Sequence, residues 1–222
     1  AFMAGRVLVE SPENVGENSF AVGFESKSKG EYSQAMGYQA QALGDYSTAI
    51  GNEAKARQKN SFAFGEDADA QGEESYAIGR GAVAEGYRSF AFGSAGVDSA
   101  GVITLPPQAI GEYSFAMGQG AKAEKIGAFA MGVDTKAEGP YSTALGYQTK
   151  ATKYNAIAMG KYSTASGINS TAIGISTVAS GAFSMAMGDN TVASGYNSTA
   201  MGDNTLASGQ RSTTMGRQTK AI

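Results

Sequence analysis

The sequence contains no cysteine, no histidine and no tryptophan, and only 17% of its 222 residues are charged. Without cysteine there is no disulfide framework and no thiol nucleophile. Without histidine the usual zinc sites and imidazole acid–base catalysis are excluded as well. A net charge of −3 offers no basic surface for nucleic acid. No apolar run is long enough to cross a bilayer, and residues 1–17 carry no signal-peptide pattern. These absences predict a chain that is not an enzyme, takes no cofactor or metal, and does not itself insert into a membrane.

What is abundant is glycine, 31 residues of it, and it is periodic. A motif of the form Ser-x-Ala-apolar-Gly closes on glycines at 23, 37, 51, 65, 79 and 93, then at 118, 132, 146, 160, 174, 188, 202 and 216. The spacing is 14 residues, interrupted once by 11 extra residues after Gly93. One unit, from Ser198, reads Ser-Thr-Ala-Met-Gly-Asp-Asn-Thr-Leu-Ala-Ser-Gly-Gln-Arg and divides into two related halves of seven. Small residues alternate with others in each half, which is the period of a strand, and glycine then marks a turn where positive φ costs nothing. Two short strands and two tight turns per unit predict an all-β solenoid of two sheets, each stacking parallel strands about 4.8 Å apart. A helical solenoid needs units of roughly 20 residues or more.

Alternation assigns the faces. The interior is to be filled by Ser, Thr and Ala, including Ala21, Ala35, Ala49, Ala63, Ala77, Ala91, Ala116, Ala130, Ala144, Ala158, Ala172, Ala186 and Ala200. An interior of methyls and hydroxyls buries little apolar surface against a backbone ordering cost of about 1–2 kcal/mol per residue. The fourth position of each unit supplies more, and it faces outward. It is Val22, Met36, Ile50, Phe64, Ile78, Phe92, Met117, Met131, Leu145, Met159, Ile173, Met187, Met201 and Met215. The second position adds Phe20, Phe62, Tyr76, Phe90, Phe115 and Phe129 beside it, and mostly Thr later. Soluble monomers do not leave such ridges bare, so the chain is expected to self-associate through this column. Outward positions of the second strand, such as Lys27, Lys55, Asp69 and Glu124, read as solvated.

The copies "NSFAVG" at 18–23, "NSFAFG" at 60–65, "NSTAIG" at 169–174 and "NSTAMG" at 197–202 resemble the head repeat of YadA-like trimeric autotransporter adhesins. The halves "AQALG" and "TVASG" resemble the second half of the same repeat, and the resemblance covers about residues 16–222. It implies a left-handed parallel β-roll and a homotrimer with the apolar column at the three-fold interface. It further implies a bacterial cell-surface protein that binds host matrix proteins such as collagen, or other cells, anchored at the outer membrane by segments outside this chain. The sequence departs from the pattern where Tyr32, Tyr46, Tyr113 and Tyr141 replace its Asn, and where Gln58, Lys125 and Lys153 replace the second-half Gly. A structural shaft of a trimeric surface or phage-tail-like fibre, displaying a separate binding tip, is the alternative reading.

The expected organisation is a cap segment at 1–17, a first block of repeats at 18–93, an insertion at 94–110 and a second block at 111–222, ending partway through a unit as an excised head would. The insertion holds Val97, Asp98, Val102, Ile103, Leu105, Pro106 and Pro107, and is either a binding loop or a tolerated flap over a neighbouring chain. Asp189-Asn190 and Asp203-Asn204 read as polar turns rather than a cation site. The Thr48, Thr143, Thr171, Thr199 and Thr213 column, considered as an ice-binding array, lies beside the ridge and is interrupted. "GRGAVAEG" at 79–86 is one repeat, not a phosphate loop, because no strand-to-helix context follows it. Asn169-Ser-Thr and Asn197-Ser-Thr match glycosylation acceptors but read as the repeat itself.

Overall fold

The computed structural model describes residues 2–5, 15–96 and 104–222, and they form two compact units, 1–120 and 121–222. Each unit is a two-sheet parallel β-solenoid; the described residues contain strands and turns and no helix.

In the first unit one sheet stacks Phe2–Ala4, Phe20–Val22, Gln34–Met36, Thr48–Ile50, Phe62–Phe64, Tyr76–Ile78, Phe90–Phe92 and Phe115–Met117. Lys27–Ser28, Gln41–Ala42, Lys55–Ala56, Asp69–Ala70, Val83–Ala84 and Gln108–Ala109 stack as the other. The second unit repeats the plan, from Phe129–Val133 to Thr213–Arg217 on one sheet and from Lys122–Ala123 to Lys220–Ala221 on the other. Every pairing is parallel and joins equivalent positions of consecutive coils, so Thr171 meets Met185 and Ala172 meets Ala186. Parallel neighbours in sequence normally need a long crossover. Here the crossover is the other strand of the same coil, which is why 14 residues suffice.

The interior is built from the smallest side chains. The third-position alanines, from Ala35 to Ala200, are fully buried, and Ala21 nearly so. So are the second-strand alanines, among them Ala42, Ala84, Ala151 and Ala193. Between them lie buried hydroxyls: Ser47, Ser75 and Ser170 at the first position, and Thr135, Thr149, Thr177, Thr191 and Thr205 at the eighth. Some of these hydroxyls are paired, as where Thr177 Oγ1 donates to Ser163 Oγ at 2.9 Å and Ser170 Oγ donates to the Gly167 carbonyl at 2.7 Å. Others, including Thr135, Thr149, Thr191 and Thr205, have no partner. The eighth position is Ala in much of the first unit, where first strands run three residues. From Thr135 onward it is Thr or Ser, in the coils whose first strands run five. A β-branched side chain stiffens χ1 and favours extended backbone, which fits the longer strands.

The turns correct the expectation about glycine in one half of the repeat. First-half glycines are left-handed, with φ +135° at Gly174 and +122° at Gly188. Second-half glycines such as Gly181 and Gly195 are not. They are required by close approach: a Cβ on Gly181 would collide with the carbonyl oxygen of Gly195 one coil on. The left-handed residue of that turn is the one before the serine, and it is usually not glycine. Asn169 (φ 53°), Phe183 (φ 60°), Asn197 (φ 58°) and Arg211 (φ 57°) all adopt it. Asn does so with little strain, while other L-residues are disfavoured there by about 1–2 kcal/mol.

Candidate functional site

The fourth-position column lies on the outer face of the longer-stranded sheet. In the first unit the register stacks Val22, Met36, Ile50, Phe64, Ile78, Phe92 and Met117. In the second it stacks Met131, Leu145, Met159, Ile173, Met187, Met201 and Met215. None of these side chains is buried by its own chain: Phe64 and Phe92 are each 48% exposed and Met215 is 64% exposed. The remainder are half-buried, except for the exposed Met36. Each unit therefore carries an apolar ridge that no described residue covers.

Beside the ridge in the first unit runs a ladder of rings. Tyr76 stacks on Phe90 with centroids 4.3 Å apart, and Phe62 and Phe115 extend the ladder at 6.2 and 6.3 Å. At the adjoining turn Tyr32 and Tyr46 stack at 5.2 Å and 6°. Where the turn residue changes from Tyr46 to Asn60 the shorter side chain leaves an open notch of 470 Å³, lined also by Thr48, Ser61, Phe62, Glu74 and Tyr76. Thr48, Thr143, Thr171 and Thr199 lie half-buried beside the ridge, and Thr213 is exposed.

Charge is paired along the first unit. Arg57 donates twice to Asp69, at 2.6 and 2.8 Å, and this hydrogen bonding raises the guanidinium pKa above its ordinary value against a smaller effect of burial. Arg88 Nε donates to Glu74 at 2.6 Å, which raises its pKa likewise, and its guanidinium lies 4.8 Å over the Tyr87 ring. Desolvation raises the Tyr87 hydroxyl pKa, against an opposing effect of Arg88. Exposed pairs of this kind add little to stability. Their effect is to cancel charge along a face where like charges would otherwise stack every coil.

The flanks of the insertion belong to the coil. Ala95 donates to the Arg80 carbonyl at 2.8 Å, and Gln108–Ala109 pairs in register with Val83–Ala84. Thr104 donates its backbone N–H to the Gly96 carbonyl at 2.9 Å, so the extra residues leave and return through a pinched base. Leu105 is exposed, with its carbonyl accepting from Gly120 N–H at 2.7 Å, while Pro107 is buried and Pro106 lies against Gly81. Val97, Asp98, Val102 and Ile103 lie outside the described residues.

The remaining motifs fall on turns. Asp189 accepts from the Asn190 amide at 3.0 Å, and Asp203 from Asn204 at 2.5 Å, with Arg217 a further 3.2 Å from Asp203. No group of three or more acidic, His or Cys side chains gathers among the described residues. Residues 79–86 form part of one coil, with Val83–Ala84 as its second strand. Asn169 and Asn197 are left-handed turn residues.

Sequence reasoning missed how rings gather at the turns. In the second unit Tyr141 meets Tyr154 edge-on at 5.7 Å, Phe183 meets Tyr196 at 5.8 Å, and Tyr147 meets Tyr162 at 5.5 Å beneath Lys161. The seven-residue recurrence of Asn, Tyr and other large residues just after each glycine half was the available signal.

Comparison with known proteins agrees with this geometry. The family model for the YadA head domain repeat matches residues 15–40, 28–54, 42–68, 70–95, 109–135, 137–163, 165–191 and 193–219. No curated protein matches the chain.

Proposed function

Because the chain belongs to the YadA head-repeat family, we propose that it is the non-enzymatic head of a trimeric bacterial surface adhesin. The observation that carries this reading is the fourth-position ridge, open along each unit with Phe64 and Phe92 about half exposed. Fully burying a Met, Ile or Phe side chain is worth about 1.5–3 kcal/mol. A column of them, repeated each coil, is a strong drive to associate with identical columns in register. Three left-handed rolls packing their ridges together leave the second-strand sheets facing outward as the adhesive face. Attachment to a host matrix protein, collagen-like or other, or to another cell then comes from many shallow contacts multiplied by three chains and many coils. The chain is held at the cell surface by an anchor outside this sequence. Catalysis has no part in this reading, since the sequence offers neither imidazole nor thiol.

Light scattering across a dilution series tests the assembly. A stable species of three chain masses is expected, and Ile173→Asp with Met187→Asp should shift it towards smaller species. A folded monomer at all concentrations overturns the proposal. Binding of immobilised collagen and of whole cells by the trimer then tests adhesion. A trimer that binds neither is a shaft rather than a head.

A further inference from the structure

One turn edge of the second unit has a composition that neither the fold nor the ridge explains. It is formed by the two residues preceding each first-position serine. Tyr141 and Tyr154 make one edge-on ring pair there, and Phe183 and Tyr196 make another. All four rings are about half exposed, at 50%, 47%, 50% and 47%. Tyr141 and Phe183 are also left-handed, at φ 54° and 60°, where the neighbouring coils use the better-suited Asn155, Asn169 and Asn197. Large rings therefore stand where both backbone and water disfavour them, as Tyr32, Tyr46 and Tyr113 do in the first unit; here they recur as matching pairs.

The two pairs are equivalent by symmetry. Tyr141 to Phe183 and Tyr154 to Tyr196 are each three 14-residue coils apart, about 14 Å at roughly 4.8 Å per coil. Between the pairs lie Asn155, Ile168 and Asn169. Among the described residues the Asn155, Asn169 and Asn197 amides make no side-chain hydrogen bond, whereas Asn190 and Asn204 on the opposite turn are tied to Asp189 and Asp203. The adjoining outward column contributes the exposed hydroxyls of Ser180 and Ser194. Charge is sparse: residues 155–209 contain only Lys161, Asp189 and Asp203, all on the opposite turn, while Lys153 and Arg211 flank this edge at its two ends.

We infer that this edge binds a linear, uncharged oligosaccharide, with the two ring pairs as stacking platforms and the Asn amides and Ser hydroxyls as hydrogen-bond partners between them. A pyranose presents an apolar C–H face to the negative face of an aromatic ring and hydroxyls around its rim. Side-chain amides match such hydroxyls as both donors and acceptors. No charged residue lies between Lys153 and Arg211 on this edge, so the stretch that spans the two platforms suits a neutral glycan better than an acidic one. A polyproline-type peptide also stacks on rings, but its helix turns every three residues at roughly 3.1 Å each, so about 14 Å is one and a half turns. Its second contact would point away from the edge. The inference gives the adhesive reading a ligand class and rests on that reading for its biological setting.

Calorimetric titration of the full chain with cellohexaose and chitohexaose is the test, with polyproline decapeptide and a heparin hexasaccharide as comparisons. At least one neutral hexasaccharide is expected to bind, and its disaccharide, reaching one platform only, to bind about tenfold more weakly or worse. Tyr141→Asn with Phe183→Asn restores the residue that suits the backbone, so the melting temperature should hold or rise while binding falls about tenfold or more. Tyr154→Ala with Tyr196→Ala, outside the left-handed position, should weaken binding equally. The inference is overturned if neither hexasaccharide binds, if both double variants bind as tightly as the parent, or if polyproline is the ligand whose binding they remove. Light scattering on the same samples separates the two readings. A trimer that ignores sugars sinks this inference alone, and a monomer that binds them sinks only the assembly.

Discussion

The carbonyl oxygen of Gly188 occupies the space that a Cβ on Gly174 would need, and both residues are left-handed, at φ +122° and +135°. Backbone strain and collision therefore act together at this one column. Gly174→Ala is expected to destabilise the chain by about 3–5 kcal/mol. Chemical denaturation read by circular dichroism checks it, with Ser180→Ala, on an exposed position, as the control expected to change little.

Ala172 is fully buried with Ala186 stacked directly on it in the same sheet. The interior is filled by alanine methyls and small hydroxyls, so a longer side chain must push the two sheets apart. Ala172→Leu should cost about 3 kcal/mol or more, whereas Thr171→Leu, on the outer face of the same strand, should fold normally. Comparable denaturation midpoints for the two variants would mean that the inward and outward assignments are wrong.

Thr191 and Thr177 occupy equivalent positions with different hydrogen bonding. The Thr191 hydroxyl has no partner, and that of Thr177 donates to Ser163. Replacing an unpaired buried hydroxyl with a methyl of the same shape removes a desolvation cost, so Thr191→Val should leave stability unchanged or raise it by about 1 kcal/mol. Thr177→Val should instead lower it by about 1 kcal/mol. The order of the two melting temperatures decides the matter.

Arg211 is exposed and left-handed at φ 57°, with the Asn-bearing turn of Asn197 one coil before it. Arg211→Asn is expected to gain about 1 kcal/mol. A lower melting temperature would show that the arginine makes a contact worth more than the strain.

Much of this architecture was legible because the period is a geometric constraint. Fourteen residues closing on glycine allow two strands and two turns, and alternation within Ser170–Gly174 already separates Ala172, which faces in, from Thr171 and Ile173, which face out. Gly181 was harder, because close approach and positive φ select the same residue. Only the backbone distinguishes them, and it shows that Asn, Tyr or Phe two residues later takes the left-handed turn. The ring pairs at Tyr141 and Phe183 were signalled only by the recurrence of large residues at the turns, and the pairing itself was hidden because a partner one coil on lies 13 residues away, out of step with the period. The boundaries of the insertion were blurred for a similar reason: Gln108–Ala109 keeps the register of the coil, but nothing in its neighbours marks where the detour ends.

The strict pairing of each position with its equivalent in the next coil has a consequence for how such a gene changes. Removing one whole repeat brings together two strand edges that already match in register, face and turn geometry. A slip of the replication machinery between near-identical repeats therefore yields a shorter or longer product that still folds. A deletion out of step with the period puts turns against strands, and one of an odd number of residues also turns alanines to water and methionines to the core. The number of coils becomes the most freely variable property of the molecule, adjustable while each side chain keeps the same kind of neighbours above and below it.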